Sequence, residues 1–135
     1  MYLLDTDVLS NIVRRKPSPS LLARLSKCPG ETIFTTAINT AEIHYGAARS
    51  EHGDKILQVF EEKVFPVLTI LPFDAESARI FGKLKASLEK RGAPRSEPDL
   101  RIAAIALQHK FVLVTGNARH FEGIPRLVIE DWING

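Results

Sequence analysis

Asp5, Glu42 and Asp99 are the acids whose surroundings set them apart from the other carboxylates of this chain. Asp5 follows the unbroken apolar run Tyr2-Leu3-Leu4, which suits a strand buried on both faces. Helical spacing of Val8, Leu9, Ile12 and Val13 begins at once after it, so Asp5 stands where a strand turns into a helix. In open α/β sheets ligands bind at such strand ends. A carboxylate there serves either as a metal ligand or as a turn and cap residue. Glu42 lies within a helical pattern among Ile38, Ala41, Ile43 and Tyr45, about one and a half turns beyond the preceding strand. Asp99 opens a helix whose following residues are almost all apolar. Both are expected to be drawn toward the interior, where an unpaired carboxylate needs a cation, a metal or hydrogen-bond donors. Each also has a structural explanation. Ser96-x-x-Asp99 resembles a capping box, and Glu42 has Arg49 within reach as an ion-pair partner. Asn117 ends a later strand as Asp5 ends the first, and for Asp7 a helix-capping role is the better reading.

The elements that must position these side chains alternate along the chain. After the first strand and helix, Ser18-Pro19 opens a helix carrying Leu21, Leu22 and Leu25 inward, and Cys28-Pro29-Gly30 stops it. Thr32 to Thr35 reads as a second strand, and Thr36 caps the helix of Glu42. A helix over Asp54 to Phe65, a third strand over Val67 to Leu71 and a long helix capped by Asp74 follow. Pro98 starts the helix of Asp99; Phe111 to Val114 and Leu127 to Ile129 complete five strands. Strands separated by helices predict a parallel sheet covered on both faces. At 135 residues the chain is expected to form a single domain, 1–135.

Composition narrows the function classes. With 44% hydrophobic and 25% charged residues the chain has the make-up of a soluble globular protein. No apolar run approaches membrane-spanning length, and Asp5 interrupts anything resembling a signal leader. The single cysteine, Cys28, excludes an intrachain disulfide and a thiolate metal site, which fits the cytoplasm. None of the four histidines has metal-pair spacing with another. The net charge of +2 suggests a polyanionic partner only weakly, but it is uneven. From Arg79 to Arg101 there are seven basic residues against three acids, and Lys90 and Arg95 in that stretch are candidate contacts to the phosphates of such a partner. A solvated helix face accounts for the same pattern.

Four segments in order resemble the successive motifs of PIN domains, and most closely the VapC-type toxins of type II toxin–antitoxin systems. They are Asp5-Thr6-Asp7-Val8-Leu9-Ser10, Ala41-Glu42-Ile43-His44-Tyr45-Gly46, Pro98-Asp99-Leu100-Arg101-Ile102-Ala103-Ala104 and Val114-Thr115-Gly116-Asn117-Ala118-Arg119-His120-Phe121. The ending, Ile124-Pro125-Arg126-Leu127 through Asp131-Trp132, is similar to the same group. The resemblance implies an α/β, PIN-like fold: a doubly wound parallel sheet of about five short strands with helices on both faces. It implies a metal-dependent endoribonuclease that hydrolyses tRNA or another structured RNA. Asp5, Glu42 and Asp99 then bind Mg²⁺ or Mn²⁺, and the fourth acidic position falls on Asn117, an amide where many members have aspartate. An all-oxygen set of this kind suits a hard cation. Also implied are a cognate antitoxin, whose Arg or Lys would enter the acidic pocket, and a homodimer, alone or within a hetero-oligomer with the antitoxin. Leu57, Phe60, Phe65, Ile80, Phe81 and Leu84 offer apolar material for such an interface or, equally, for the core.

Two readings compete. Leu3-Leu4-Asp5-Thr6-Asp7 also resembles the first motif of haloacid-dehalogenase-type phosphatases, with Asp5 as nucleophile, but Gly116-Asn117 stands where that family needs an acidic pair. A PIN-like module could also bind RNA or protein without cutting.

Overall fold

The computed structural model describes all of residues 1–135. Its strands are β1 (Tyr2–Leu4), β2 (Ile33–Thr36), β3 (Thr69–Leu71), β4 (Val112–Val114) and β5 (Ile129–Glu130). The helices are α1 (Thr6–Val13), α2 (Pro19–Leu25), α3 (Ala37–Ala48), α4 (Gly53–Val59), α5 (Ala75–Lys90) and α6 (Glu97–His109). One parallel sheet orders the strands β3-β2-β1-β4-β5. The chain winds outward from β1 to β3 and then crosses back to place β4 on the other side of β1. That reversal opens a crevice at the carboxyl ends of β1 and β4.

Alternation along the strands sends neighbouring side chains into two separate cores. Leu3 and Leu113 join Leu88, Leu100, Ile105 and Phe121 beneath α5 and α6. Leu4 and Val114 join Leu9, Leu21, Phe60 and Trp132 on the opposite face. The sheet is therefore covered on both faces, as the sequence predicts. Phe60 and Leu84 are buried in these cores and so are withdrawn from any interface, while Leu22, expected inward, is 44% exposed.

Several boundaries differ from the periodicity, each for a local reason. The helix expected to run to Phe65 is regular only through Val59. A π-helical turn, Phe60–Val64, and a short 3-10 turn, Phe65–Val67, replace its end, with the Phe65 N–H bonded to Phe60 O. Pro66 cannot donate to a further turn. This shortens β3 from the expected Val67–Leu71 to Thr69–Leu71. Arg126 adopts a left-handed conformation (φ 67°), so β5 starts at Ile129, opposite Leu113, and not at Leu127. No helix is long and apolar enough to cross a membrane.

Candidate active site

Asp5 sits one residue beyond β1 and caps α1, its Oδ1 accepting the Thr6 N–H at 2.8 Å. Its own N–H donates to Val114 O at 2.9 Å, which ties it to the end of β4. Only 7% of the residue is exposed. Two side chains complete its hydrogen bonding: Asn39 Nδ2 donates to Oδ1 at 3.0 Å and the Thr115 hydroxyl to Oδ2 at 2.8 Å. Both donors are fully buried and neutral. Burial pushes the Asp5 carboxyl above its ordinary range and the charge of Asp99 adds to that, against the opposing effect of the hydrogen bonds.

Glu42 reaches the same place from α3. Thr36, the last residue of β2, caps that helix by accepting the N–H groups of Ile38 and Asn39. Asn39 in the first turn and Glu42 one turn later lie on one face. Glu42 Oε1 accepts the Thr6 hydroxyl at 2.8 Å. It stays on the exposed rim, not drawn to the interior as expected, and Arg49 turns instead to the Tyr45 hydroxyl. Partial burial, followed by the charges of Asp5 and Asp99, raises its carboxyl.

Asp99 reaches the group from the first turn of α6. Ser96 Oγ accepts the Asp99 N–H at 3.3 Å, but no return bond from the Asp99 carboxylate to Ser96 closes the box. The carboxylate instead lies 3.4 Å from His120 Nδ1. Asp5, Glu42 and Asp99 therefore repel one another, and no Lys or Arg pairs with any of them.

Asp7 does not cap α1; Asp5 does. From the first turn Asp7 points at the loop after β4, where its Oδ2 accepts the Gly116 N–H at 2.8 Å and Asn117 Nδ2 at 3.2 Å. A Cβ on Gly116 would stand 2.8 Å from that oxygen, so the close approach requires glycine. Burial, then the charge of Asp5, pushes the Asp7 carboxyl up to about 6. Asn117 itself lies three residues past β4, its amide nitrogen held by Asp7 and its Oδ1 without a hydrogen bond.

The side chains do not converge on a ready-made three-ligand metal site. Their chemistry nonetheless fits a divalent cation: three mutually repelling carboxylates, an amide oxygen, neutral donors behind them and no Lys or Arg paired with them. The basic stretch is less available than its composition implies. Arg79 pairs with Glu76, while Lys85 and Arg101 both pair with Glu97. Arg95 Nη1 donates to Ala93 O at 2.7 Å and its Nη2 to Glu122 O, which makes it a brace of the loop before Asp99. Lys90 is exposed and makes no such contact. A hollow of about 430 Å³ lies elsewhere, lined by Ile80, Leu107 and Phe111 with Lys110 and Arg126; it holds no acid and no reactive group.

The PIN domain profile matches residues 2–127, and with them all four sides of this crevice. The chain belongs to the PIN-domain family. Among curated proteins this PIN domain is similar to Ribonuclease VapC2 of Haemophilus influenzae, 35% identical over 132 residues covering 98% of each chain. It is also similar to the tRNA(fMet)-specific endonuclease VapC of Shigella flexneri, 30% identical over 97% of each. Among solved structures, DNA-bound VapBC of Salmonella typhimurium superposes with a TM-score of 0.88 at 31% identity, covering 97% of each chain. The PIN domain described here is of the VapC kind, and PIN-domain ribonucleases are generally metal-dependent. Sequence reasoning placed the acids but missed Thr6, Asn39 and Thr115, the neutral residues that hold them. Their signal was position: Thr115 directly follows β4, Thr6 is the first residue of α1 beside Asp5, and Asn39 precedes Glu42 by one turn.

Proposed function

We propose that this protein is the endoribonuclease toxin of a toxin–antitoxin module, with residues 1–135 acting as one PIN domain in the cytoplasm. It is a nuclease, a hydrolase of RNA phosphodiester bonds, and its protein partner is a cognate antitoxin. In this reading Asp5, Glu42 and Asp99 hold Mg²⁺ or Mn²⁺, and Asn117 contributes an uncharged oxygen. One observation carries it: the buried Asp5 carboxylate, facing Glu42 and Asp99, is held by neutral donors alone.

When bound, such a cation lowers the pKa of water and offsets the charge that develops on the phosphoryl oxygens. The chain's own residues do the rest. Thr6 N–H, Asn39 and Thr115 fix both oxygens of Asp5. Thr6 steadies Glu42 on the rim, and the Asp7 contact turns the Asn117 amide so that its Oδ1 remains the free acceptor. Lys90 meets the RNA phosphates; Arg95 would join it only by exchanging its carbonyl partners. The antitoxin supplies an Arg or Lys that occupies the acids in place of the metal and closes the path to RNA. The protein acts as a homodimer, free or within the antitoxin complex, and the substrate is tRNA or another structured RNA.

The test is incubation of purified protein with total tRNA in MgCl₂, MnCl₂ or EDTA, with fragment ends mapped, for the parent and for Asp5→Asn, Glu42→Gln and Asp99→Asn. Discrete cuts that need metal and all three acids are expected. Undiminished cutting by Asp5→Asn, or in EDTA, refutes the assignment. In cells, expression should arrest growth, and co-expression of the neighbouring small reading frame should relieve the arrest.

A further inference from the structure

Glu42 is the most exposed of the three acids. It is long, it stands on the exposed rim of α3, and its only hydrogen-bond partner in the protein is the Thr6 hydroxyl. Thr6 Oγ1 in turn accepts Asn39 Nδ2 at 2.9 Å. Asn39 is fully buried, and its Oδ1 accepts the Thr36 hydroxyl at 2.7 Å. The backbone N–H groups of Ile38 and Asn39 both donate to Thr36 Oγ1, so the Thr36 proton must go to Asn39 Oδ1. Every donor in the series is thereby fixed. With its carbonyl oxygen committed to Thr36, Asn39 presents its NH₂ to Asp5 and Thr6, and Thr6 has only its own proton left to give, to Glu42.

We propose that Thr6, set by Asn39, is the positioning residue of Glu42: its one-directional hydrogen bond holds a rim carboxylate ready for the cation beside Asp5. Thr6 does not act on RNA or on the cation itself. The arrangement joins two acids on different elements through two side chains: Asn39 Nδ2 bonds Asp5 Oδ1 and Thr6 Oγ1, and the Thr6 hydroxyl bonds Glu42. Outer hydrogen bonds of this kind typically change metal affinity about tenfold or more when removed. This role rests on the reading of Asp5, Glu42 and Asp99 as the cation site.

The experiment is calorimetric titration of Mn²⁺ into the metal-free protein at fixed pH, with thermal melting of each variant alongside. Thr6→Val should weaken Mn²⁺ binding about tenfold, and Thr6→Ser, which keeps the hydroxyl, should bind within about twofold of the parent. Thr6→Ala removes the same hydroxyl without bulk and gives the same answer should valine disturb the start of α1. The decisive arm is the double variant. In a Glu42→Gln background, Thr6→Val should cost little more, because both changes act through one carboxylate. Unchanged binding by Thr6→Val and Thr6→Ala, failed rescue by serine, or a full additive loss in the Glu42→Gln background would each overturn the role. Binding that survives both Asp5→Asn and Glu42→Gln would remove the cation site, and Thr6's role with it; loss in those two with no loss in Thr6→Val removes the role alone.

Discussion

Replacing Asp7 by Asn should make the metal-free protein more stable at neutral pH. The Asp7 carboxyl is raised from an ordinary value of 3.8 to about 6, first by burial and then by the Asp5 charge. A carboxyl whose pKa is higher folded than unfolded binds more protons in the folded state. Its ionisation therefore costs stability, which falls as pH rises from about 4 to about 6 and stays low above that. The rise corresponds to about 3 kcal/mol at neutral pH. Asp7 is open to water on one side, and screening reduces this to about 1–2 kcal/mol. Asparagine keeps the contacts: its oxygen accepts the Gly116 N–H and Asn117 Nδ2, and its nitrogen turns to Thr115 Oγ1, 3.5 Å from the present Asp7 Oδ1. Scanning calorimetry in EDTA should show Asp7→Asn melting about 4–8 °C above the parent at pH 7.5, for a domain of this size. The gap should close as pH falls toward 4, and narrow when Mn²⁺ is added to the parent. A variant that melts at or below the parent at pH 7.5, or a gap that ignores pH, refutes the reasoning.

Other perturbations separate the roles assigned above. Gly53→Ala should lower stability by about 3 kcal/mol or more, read from a urea midpoint, because a Cβ there would stand 1.7 Å from the Ala47 carbonyl oxygen. Asn39→Ala should cost about 1–3 kcal/mol in the same assay, since it strips a donor from Asp5 and the partner from the buried Thr36 hydroxyl. Lys90→Gln should flatten the salt dependence of RNA binding by about one unit with no change in melting. Arg95→Gln should do the opposite, lowering the melting temperature through the lost carbonyl brace while leaving the salt slope alone.

The sheet was legible because its strands are short apolar runs ended by polar residues, and each capping residue sits where its helix begins. Asp74 shows this most fully, its side chain and that of Ser77 closing a reciprocal cap on α5. Legibility failed where local geometry outweighed the periodicity: a π-helical turn over Phe60–Val64 replaced the end of a helix whose apolar stripe includes Phe60 and Val64, and the left-handed Arg126 delayed β5. At the site, charge was visible and its support was not. An acid at a strand end stands out in sequence, whereas Asn39 and Thr115 look like ordinary polar residues until the fold buries them against Asp5. Asp7 was misread for a related reason. Two acids flank Thr6, and only the backbone geometry decides that Asp5 caps the helix while Asp7 turns to Gly116.

The absence of any chain cation at Asp5 and Glu42 has a consequence for regulation. An enzyme could have held these acids with its own Lys or Arg, at the cost of a rival for the metal. Here the donors are Thr6, Asn39 and Thr115, which fix geometry without supplying charge. Repulsion among the carboxylates remains, and any cation that enters relieves it. A divalent ion does so and leaves room for phosphate. A guanidinium does so too, with a planar fork that matches carboxylates pairwise and excludes the ion. On the proposed reading, neutral support that suits the crevice to a metal would suit it equally to a basic side chain of the antitoxin. Asp5→Asn, which removes the most buried of the charges, should then weaken antitoxin binding as well as cleavage, measured as a higher Kd for the copurifying partner. Antitoxin affinity unchanged by Asp5→Asn, Glu42→Gln and Asp99→Asn together would place the inhibitory contact outside this crevice.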